Sequence, residues 1–322
     1  MKAELVVTRK YVVGAYPASA AHSNWNSEFE SQFFDMLVSD SRIRALELPW
    51  LGSIHPHDDM WLYDHFPDSL SAIITDIPFV MSRLAQIPEY GIASKKEDGR
   101  LNAISDLQKL NQDIKNFNDK RGKQVVSVIE IHTAPRNVGN VNSLAKSLDE
   151  ISKWNWDGAK LAIEHCDAAI DGQQPEKGFL RLNQEIDAIQ LSGANIEIFI
   201  NWGRSAIEFR DANRVIEHIA LARQSGFLNG LIFSGPSDQQ GIFGPAWVDA
   251  HNPFQKSELH IYGDPNSLLT ENHAVSAISE AGPIAWPGIK LSWLKSVDGS
   301  AQQRYTMISS ALHVLDKAYK SI

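Results

Sequence analysis

The chain has 322 residues, 43% of them hydrophobic and 21% charged, and a formal net charge of −9 with histidine neutral. That acidic balance argues against a large phosphate-backbone interface, because nucleic-acid binders carry a basic stripe. The single cysteine, Cys166, excludes an intramolecular disulfide framework and a Cys-rich zinc site, and no apolar run approaches the ~18 residues of a membrane span.

From the N-terminus, MKAELVVTRKYVVGAY mixes acid and base into its apolar stretch and leads straight into a strand. It does not read as a secretion signal, so the expected location is cytoplasmic. Short runs rich in β-branched residues then recur at Tyr11–Ala15, Ile43–Leu48, Leu70–Thr75, Gln124–His132, Lys160–Glu164, Ile196–Asn201, Leu228–Ser234 and Gly288–Ser292. Stretches with helical spacing separate them. Ser27–Val38 sets Phe29, Phe33, Phe34 and Leu37 on one side, and Leu101–Lys120 does the same with Leu107, Leu110, Ile114 and Phe117. Phe179–Leu191 and Asn213–Gln224 repeat the pattern, with Gly122, Gly193 and Gly226 as stop signals after three of these helices. A last helix is expected at Ala301–Tyr319, after a polar turn at Ser296–Ser300.

Strands and helices in strict alternation predict an α/β fold, a single (β/α)8 TIM barrel over residues 1–322. A doubly wound open sheet competes, but it has fewer units as a rule, and neither G-x-G-x-x-G nor G-x-x-x-x-G-K-[ST] occurs. No linker or solenoid repeat divides the chain. The connection at residues 235–264 is long and aperiodic, with Phe243, Trp247 and Phe254 beside Asp249 and His251. A connection of that length predicts a lid over the C-terminal mouth, against the plainer reading of a structural flap.

Strand parity then predicts the site. Outward residues pack on helices and are apolar; the alternate residues point into the barrel. On this rule Ala45 and Glu47 face inward, as do Val126, Val128, Glu130 and His132, Ala162 and Glu164, Phe199 and Asn201, and Lys290 and Ser292. The polar members come late in their strands, at the mouth where barrel enzymes place catalytic groups. Glu47, Glu130, His132, Glu164, Asn201 and Lys290 should therefore converge. A buried ion network that merely satisfies itself is the alternative, with Lys290, Arg204 and His132 compensating the carboxylates.

After the sixth strand, Ser205 with Glu208 fits a helix capping box, and a helix start beside Arg204 would suit a phosphate, carboxylate or sulfonate. His55 and His57 could bind a metal, although such spacing in a loop is more often a capped, solvated turn.

The stretches GAYPAS, ALELPWLGSIHPHD, YGIAS, VIEIHTAPR, FINWGRSAIE and FGPAWVDAHNPF resemble bacterial proteins grouped as domain of unknown function 4862. That family is similar to xylose-isomerase-like TIM barrels, which include sugar isomerases, ketose epimerases and apurinic-site endonucleases. The resemblance implies a barrel and a carbohydrate-like substrate. Metal-dependent epimerases of the superfamily hold a divalent cation with acidic or His residues at the ends of strands five to eight. Glu164 matches the first of these, whereas Asn201, Ser234 and Lys290 stand at the other three, and a protonated lysine repels a cation. A shifted site for Mn, Zn or Mg on Glu130, His132 and Glu164 stays open, as does a metal-free site in which Lys290 supplies the charge.

The expected activity is that of a sugar, sugar-acid or sugar-phosphate isomerase or epimerase. Such chemistry needs a carboxylate base, drawn from Glu164 or Glu130, and an electrophile, Lys290 or His132, with Glu47 among the catalytic candidates. Arg204 would hold a charged end, and Trp202 and Trp247 would cover the sugar face. Asn201, Ser205, Ser234, Asp249 and His251 complete the expected binding set. Two alternatives are a Schiff-base lyase on Lys290 and a non-catalytic sugar-binding protein. A nuclease fits the acidic balance poorly. The expected partner is a small carbohydrate-like molecule, neutral or anionic, with no nucleic acid or membrane; a homo-oligomer is compatible with the sequence.

Overall fold

A computed structural model describes residues 11–294 and 297–322. Most of the N-terminal stretch read as a non-signal, and Ser296 of the expected polar turn, lie outside the described residues. The strands are β1 (Tyr11–Gly14), β2 (Ile43–Pro49), β3 (Ser71–Thr75), β4 (Val126–Ile131), β5 (Lys160–His165), β6 (Glu197–Asn201), β7 (Leu228–Phe233) and β8 (Trp286–Lys290). Each pairs in parallel with the next, and β8 pairs with β1, so the sheet closes into a barrel in sequence order. The helices outside it are α1 (Ser27–Ser39), α2 (Asp59–His65), α3 (Ile77–Gln86), α4 (Glu97–Arg121), α5 (Val141–Ile151), α6 (Leu182–Ser192), α7 (Trp202–Phe209), α8 (Val215–Gln224), α9 (Glu271–Ala281) and α10 (Ala301–Lys320). The expected (β/α)8 architecture is what forms, with a second helix inserted after β3 and after β6.

Local chemistry accounts for the helix ends. Asn26, Asp58, Asn140, Asn201, Thr270 and Ser300 each accept a backbone N–H of the first turn, satisfying a donor that the helix leaves free. At the other end Gly122 and Gly193 take the left-handed conformation, with φ of 63° and 65°, that closes α4 and α6.

Strand alternation sorts the apolar side chains into two cores. Val12, Ala45, Ile73, Val128, Ala162, Phe199, Ile232 and Trp286 fill the barrel interior. The opposite faces, such as Leu46, Ile129, Ile163, Ile198 and Ile200, pack on the helices. Parity was right for most positions but not for Val126, which joins the outer core; the pairing of β3 with β4 shifts by one residue between Ala72 and Ile73, opposite it. β8 also begins at Trp286 rather than Gly288 and ends at Lys290, so Ser292 lies past the strand, its N–H donating to the His251 carbonyl at 2.8 Å.

Between β7 and α9 the described chain holds only isolated bridges, Gly235 with Asn252 and Gln255 with Asp264 among them. The Asn252 side-chain amide donates to Asp264 at 2.6 Å and ties the segment to itself. No described helix is long and apolar enough to cross a membrane.

Candidate functional site

The mouth of the barrel gathers charge that the interior below it lacks. Lys290, the last residue of β8, sends its Nζ to 2.5 Å from Glu47 Oε1 of β2 and 3.9 Å from Glu164 Oε1 of β5. The lysine reaches this place because β1 presents Gly14 there: a Cβ on that residue would stand 2.8 Å from Lys290 Cγ. Tyr16 closes the other side, with its ring centroid 5.3 Å from the ammonium.

Glu164 is the hub. Arg204 Nη1 donates to its Oε2 at 2.5 Å, His132 Nε2 stands 2.9 Å from the same oxygen, and Asn201 Nδ2 donates to Oε1 at 3.0 Å. The other face of His132 meets Asp76 Oδ1 at 2.5 Å. Both imidazole nitrogens thus address carboxylate oxygens, which satisfies them only if both carry protons. Asn201 Oδ1 in turn accepts from Ser234 Oγ at 2.8 Å and from the Arg204 N–H at 3.3 Å. From the 235–264 segment, Asp249 Oδ2 lies 3.1 Å from Arg204 Nε and 3.0 Å from Lys177 Nζ, with His251 Nδ1 3.3 Å from its other oxygen.

Burial and neighbours divide the carboxyls sharply. Burial would raise Glu164, but Arg204, Lys290 and His132 hold it well below the ordinary carboxylate range. For Glu130, burial and the charges of Glu47 and Glu164 all push upward, and neither carboxyl oxygen has a hydrogen-bond partner. Burial also raises Glu47, against the pull of Lys290. Burial opposes charge on Lys290, yet Glu164 and Glu47 lift its pKa well above the ordinary lysine value. His132 is likewise raised, since Cys166, Asp76 and Glu164 outweigh burial. Lys177 and Arg204 hold Asp249 well below the ordinary carboxylate range despite burial, while burial takes His251 down to about 3 and leaves it neutral. The cations Lys290, Arg204, Lys177 and His132 face the anions Glu164, Glu47, Asp76 and Asp249. Glu130 is the carboxyl left over, and burial with the charges of Glu47 and Glu164 raises its affinity for a proton well above that of an ordinary carboxyl.

Glu47, Glu130, His132, Glu164, Asn201, Arg204, Ser234, Asp249, His251 and Lys290 therefore meet in one place. Other expected residues do not. Trp202 opens α7 and packs outward on His273 of α9, ring centroids 5.3 Å apart. Ser205 is no cap: Asn201 caps α7, and Ser205 Oγ instead meets His218 Nδ1 at 3.0 Å. Trp247 lies beneath the Arg210 guanidinium, 5.3 Å from ring centre to Cζ. His55 and His57 form the capped turn: His55 Nδ1 accepts from the N–H groups of His57 and Asp58 at 3.2 and 2.8 Å, and Asp58 caps α2.

The mouth does not fit a divalent cation. Both nitrogens of His132 and both oxygens of Glu164 are taken by protein partners, and the Lys290 ammonium lies between Glu47 and Glu164. The expected metal set of Glu130, His132 and Glu164 is thus already spent on hydrogen bonds, apart from Glu130. Sequence reading also missed Gly14, Tyr16, Asp76 and Lys177. Asp76 and Lys177 lie beyond strand ends, where parity gives no signal. A separate cluster that could ligate a metal, His165 with Glu208 and His218, lies on the opposite face of β5.

Residues 12–307 match the family described as Domain of unknown function (DUF4862). The chain belongs to that family. It is 34% identical over 316 residues to Uncharacterized protein STM3670 of Salmonella typhimurium, covering 96% of this chain and 97% of the relative. Among solved structures it resembles a D-tagatose 3-epimerase-like protein, with a TM-score of 0.58 at 12% identity over 96% of this chain and 99% of the other. A xylose isomerase domain protein from Salmonella typhimurium gives 0.61 at 10% identity, over 96% and 97%. D-allulose 3-epimerase from Methylomonas sp., solved with D-allulose, gives 0.59 at 10%, over 97% and 98%. At such identities the likeness establishes the fold, a TIM barrel that this DUF4862 chain shares with structures including a D-allulose 3-epimerase and a xylose isomerase domain protein.

Proposed function

We propose that this DUF4862 protein isomerises or epimerises a small sugar, or its acid or phosphate, by moving a proton next to a carbonyl with Lys290 as the electrophile. The observation that carries this reading is the Lys290 ammonium set 2.5 Å from Glu47 at the mouth of the barrel. Removing an α-proton leaves an enediolate oxygen, and a fixed ammonium in a buried site stabilises that charge. Glu47, its affinity for protons raised by burial, is the base; Glu164 is held too acidic for that work by Arg204 and His132. Glu130, kept neutral, is the acid that returns a proton. Asn201 and Ser234 offer hydrogen-bonding groups to the sugar hydroxyls.

Because Asp249 occupies Arg204 and Lys177, an anionic substrate group would take its place, with residues 235–264 moving as the lid. The Schiff-base alternative requires an unprotonated Lys290, which Glu47 and Glu164 oppose.

The test is proton exchange in D2O. Ketohexoses such as D-tagatose and D-allulose, their aldose isomers, and the corresponding phosphates and sugar acids are incubated with the protein and followed by NMR. Deuterium should appear beside the carbonyl, and Glu47→Gln should slow this by about 10²- to 10⁴-fold, the usual worth of a positioned base. A folded protein that exchanges no proton in any of these compounds overturns the proposal, and one that binds a sugar unchanged supports the binding-protein alternative.

A further inference from the structure

β5 carries charge on both faces. Glu164 points into the mouth, and its neighbour His165 points outward among α6, α7 and α8. His165 Nδ1 is 2.8 Å from Glu185 Oε2, and the other oxygen of Glu185 accepts from Thr133 Oγ1 at 2.6 Å. On its far side His165 Nε2 faces Glu208 Oε2 at 3.2 Å yet has no hydrogen-bond partner. His218 mirrors this arrangement from α8: Nδ1 meets Ser205 Oγ at 3.0 Å, while Nε2 faces Glu208 Oε1 at 3.5 Å. All three side chains are buried, and their inner atoms lie within 4.8 Å of one another.

We propose that His165, Glu208 and His218 bind one divalent transition-metal ion, zinc being the best match. Two imidazoles and a carboxylate are a zinc donor set, and four-coordinate ligands about 2.0–2.1 Å from the metal stand roughly 3.3 Å apart. The two imidazole nitrogens face different oxygens of the Glu208 carboxylate, at 3.2 Å for His165 and 3.5 Å for His218, so the carboxylate stands between them where an ion shared by all three would be held. The outer shell is also that of a metal site: each histidine has its outer nitrogen held by another side chain, which fixes the ring and turns the inner nitrogen toward the ion. Glu208 is oriented in the same way, accepting the Ala168 N–H at 2.8 Å. Glu208 and His218 also line a cleft of about 490 Å³, together with Phe209, Arg181 and Leu221, which would give the ion a way in and room for a water or small ligand as a fourth partner. A self-contained ion-pair network accounts for these distances equally well, but it leaves His165 Nε2, fully buried, without a hydrogen bond.

The ion would join β5, α7 and α8. Glu208 lies one helical turn beyond Arg204 on α7, so fixing it fixes the helix that presents Arg204 to Glu164.

The full chain, stripped with chelator and checked for folding by circular dichroism, is titrated with zinc and with cobalt(II). One zinc per chain, a thermal midpoint raised by several degrees and cobalt d–d bands of tetrahedral intensity are expected. His218→Ala and the milder Glu208→Gln should each weaken zinc binding at least tenfold, while Glu47→Gln, in the mouth, should leave it unchanged. A folded wild-type chain that binds neither ion overturns the proposal. So does binding that survives both cluster variants, or that is lost in Glu47→Gln instead.

Discussion

Glu30 illustrates what burial does to a single carboxyl. It sits on α1 with its side chain turned inward, accepts a hydrogen bond from Ser19 Oγ, and has its pKa pushed up to about 7 by burial. The unfolded chain ionises this group near the ordinary glutamate value, so between about pH 4.5 and pH 7 the folded state binds more protons. Stability therefore falls as pH rises through this window, by about 3 kcal/mol for this residue alone. Glu30→Gln keeps an oxygen for Ser19 and removes the charge. Urea denaturation should show the variant more stable than wild type at pH 8 and nearly equal at pH 4.5. A gain of equal size at both values would mean that the carboxyl is not ionising in this way. Glu130 is raised by the same physics, with burial joined by the charges of Glu47 and Glu164 at the mouth of the barrel.

At the scale of elements, α7 shows how a strand end becomes part of a site. Asn201 closes β6 and caps α7 with the same side chain that reaches Glu164, so strand, helix and hub share one amide. Gly203 then lets the first turn of α7 press against β7, since a Cβ there would lie 2.6 Å from the Ser234 carbonyl oxygen and 2.7 Å from its Oγ. Gly203→Ala forces these elements apart and should cost about 1–3 kcal/mol, the usual penalty of overpacking. It should also loosen Arg204 from Glu164, seen as a lowered thermal midpoint together with slower proton exchange. An alanine variant as stable and as active as wild type would show that the contact is not limiting. This element also marks where the sequence was legible. Period-two alternation told inside from outside at Glu47, Glu164 and Asn201, because the outward partners Leu46, Ile163 and Ile200 had to be apolar. The capping box at Ser205 and Glu208 misled, because it matched a local spacing while the chain had already entered the helix at Trp202. The His165 cluster was illegible for a different reason: its members are 43 and 10 residues apart in sequence, and only the packing of α7 and α8 on β5 joins them. The one available signal was a histidine at an outward position of β5, where an apolar residue was due.

Over the whole molecule, the barrel gathers buried charge at its mouth, and the 235–264 segment takes part in the charge balance there. Asp249 is the loop's contribution, and it bridges Arg204, which is tied to Glu164, and Lys177, which follows the segment after β5. Breaking a buried pair by removing one partner costs about 3–5 kcal/mol, because the other charge is left without compensation. Arg204 keeps Glu164 when Asp249 is neutralised, so Lys177 bears most of that loss. Asp249→Asn should therefore lower stability without unfolding the barrel and loosen residues 235–264. Trypsin reports the loosening directly, since Lys256 is exposed within that segment, and cleavage there should be faster in the variant. The same substitution tests the lid through its ligand. If an anionic substrate displaces Asp249 from Arg204 and Lys177, removing the competing carboxylate should lower KM for a sugar acid or phosphate while leaving KM for a neutral sugar nearly unchanged. Equal shifts for both substrates would mean that the loop gates access without sharing its cation partners. No change in either constant, together with unchanged cleavage, would make the segment a fixed flap on the barrel rim.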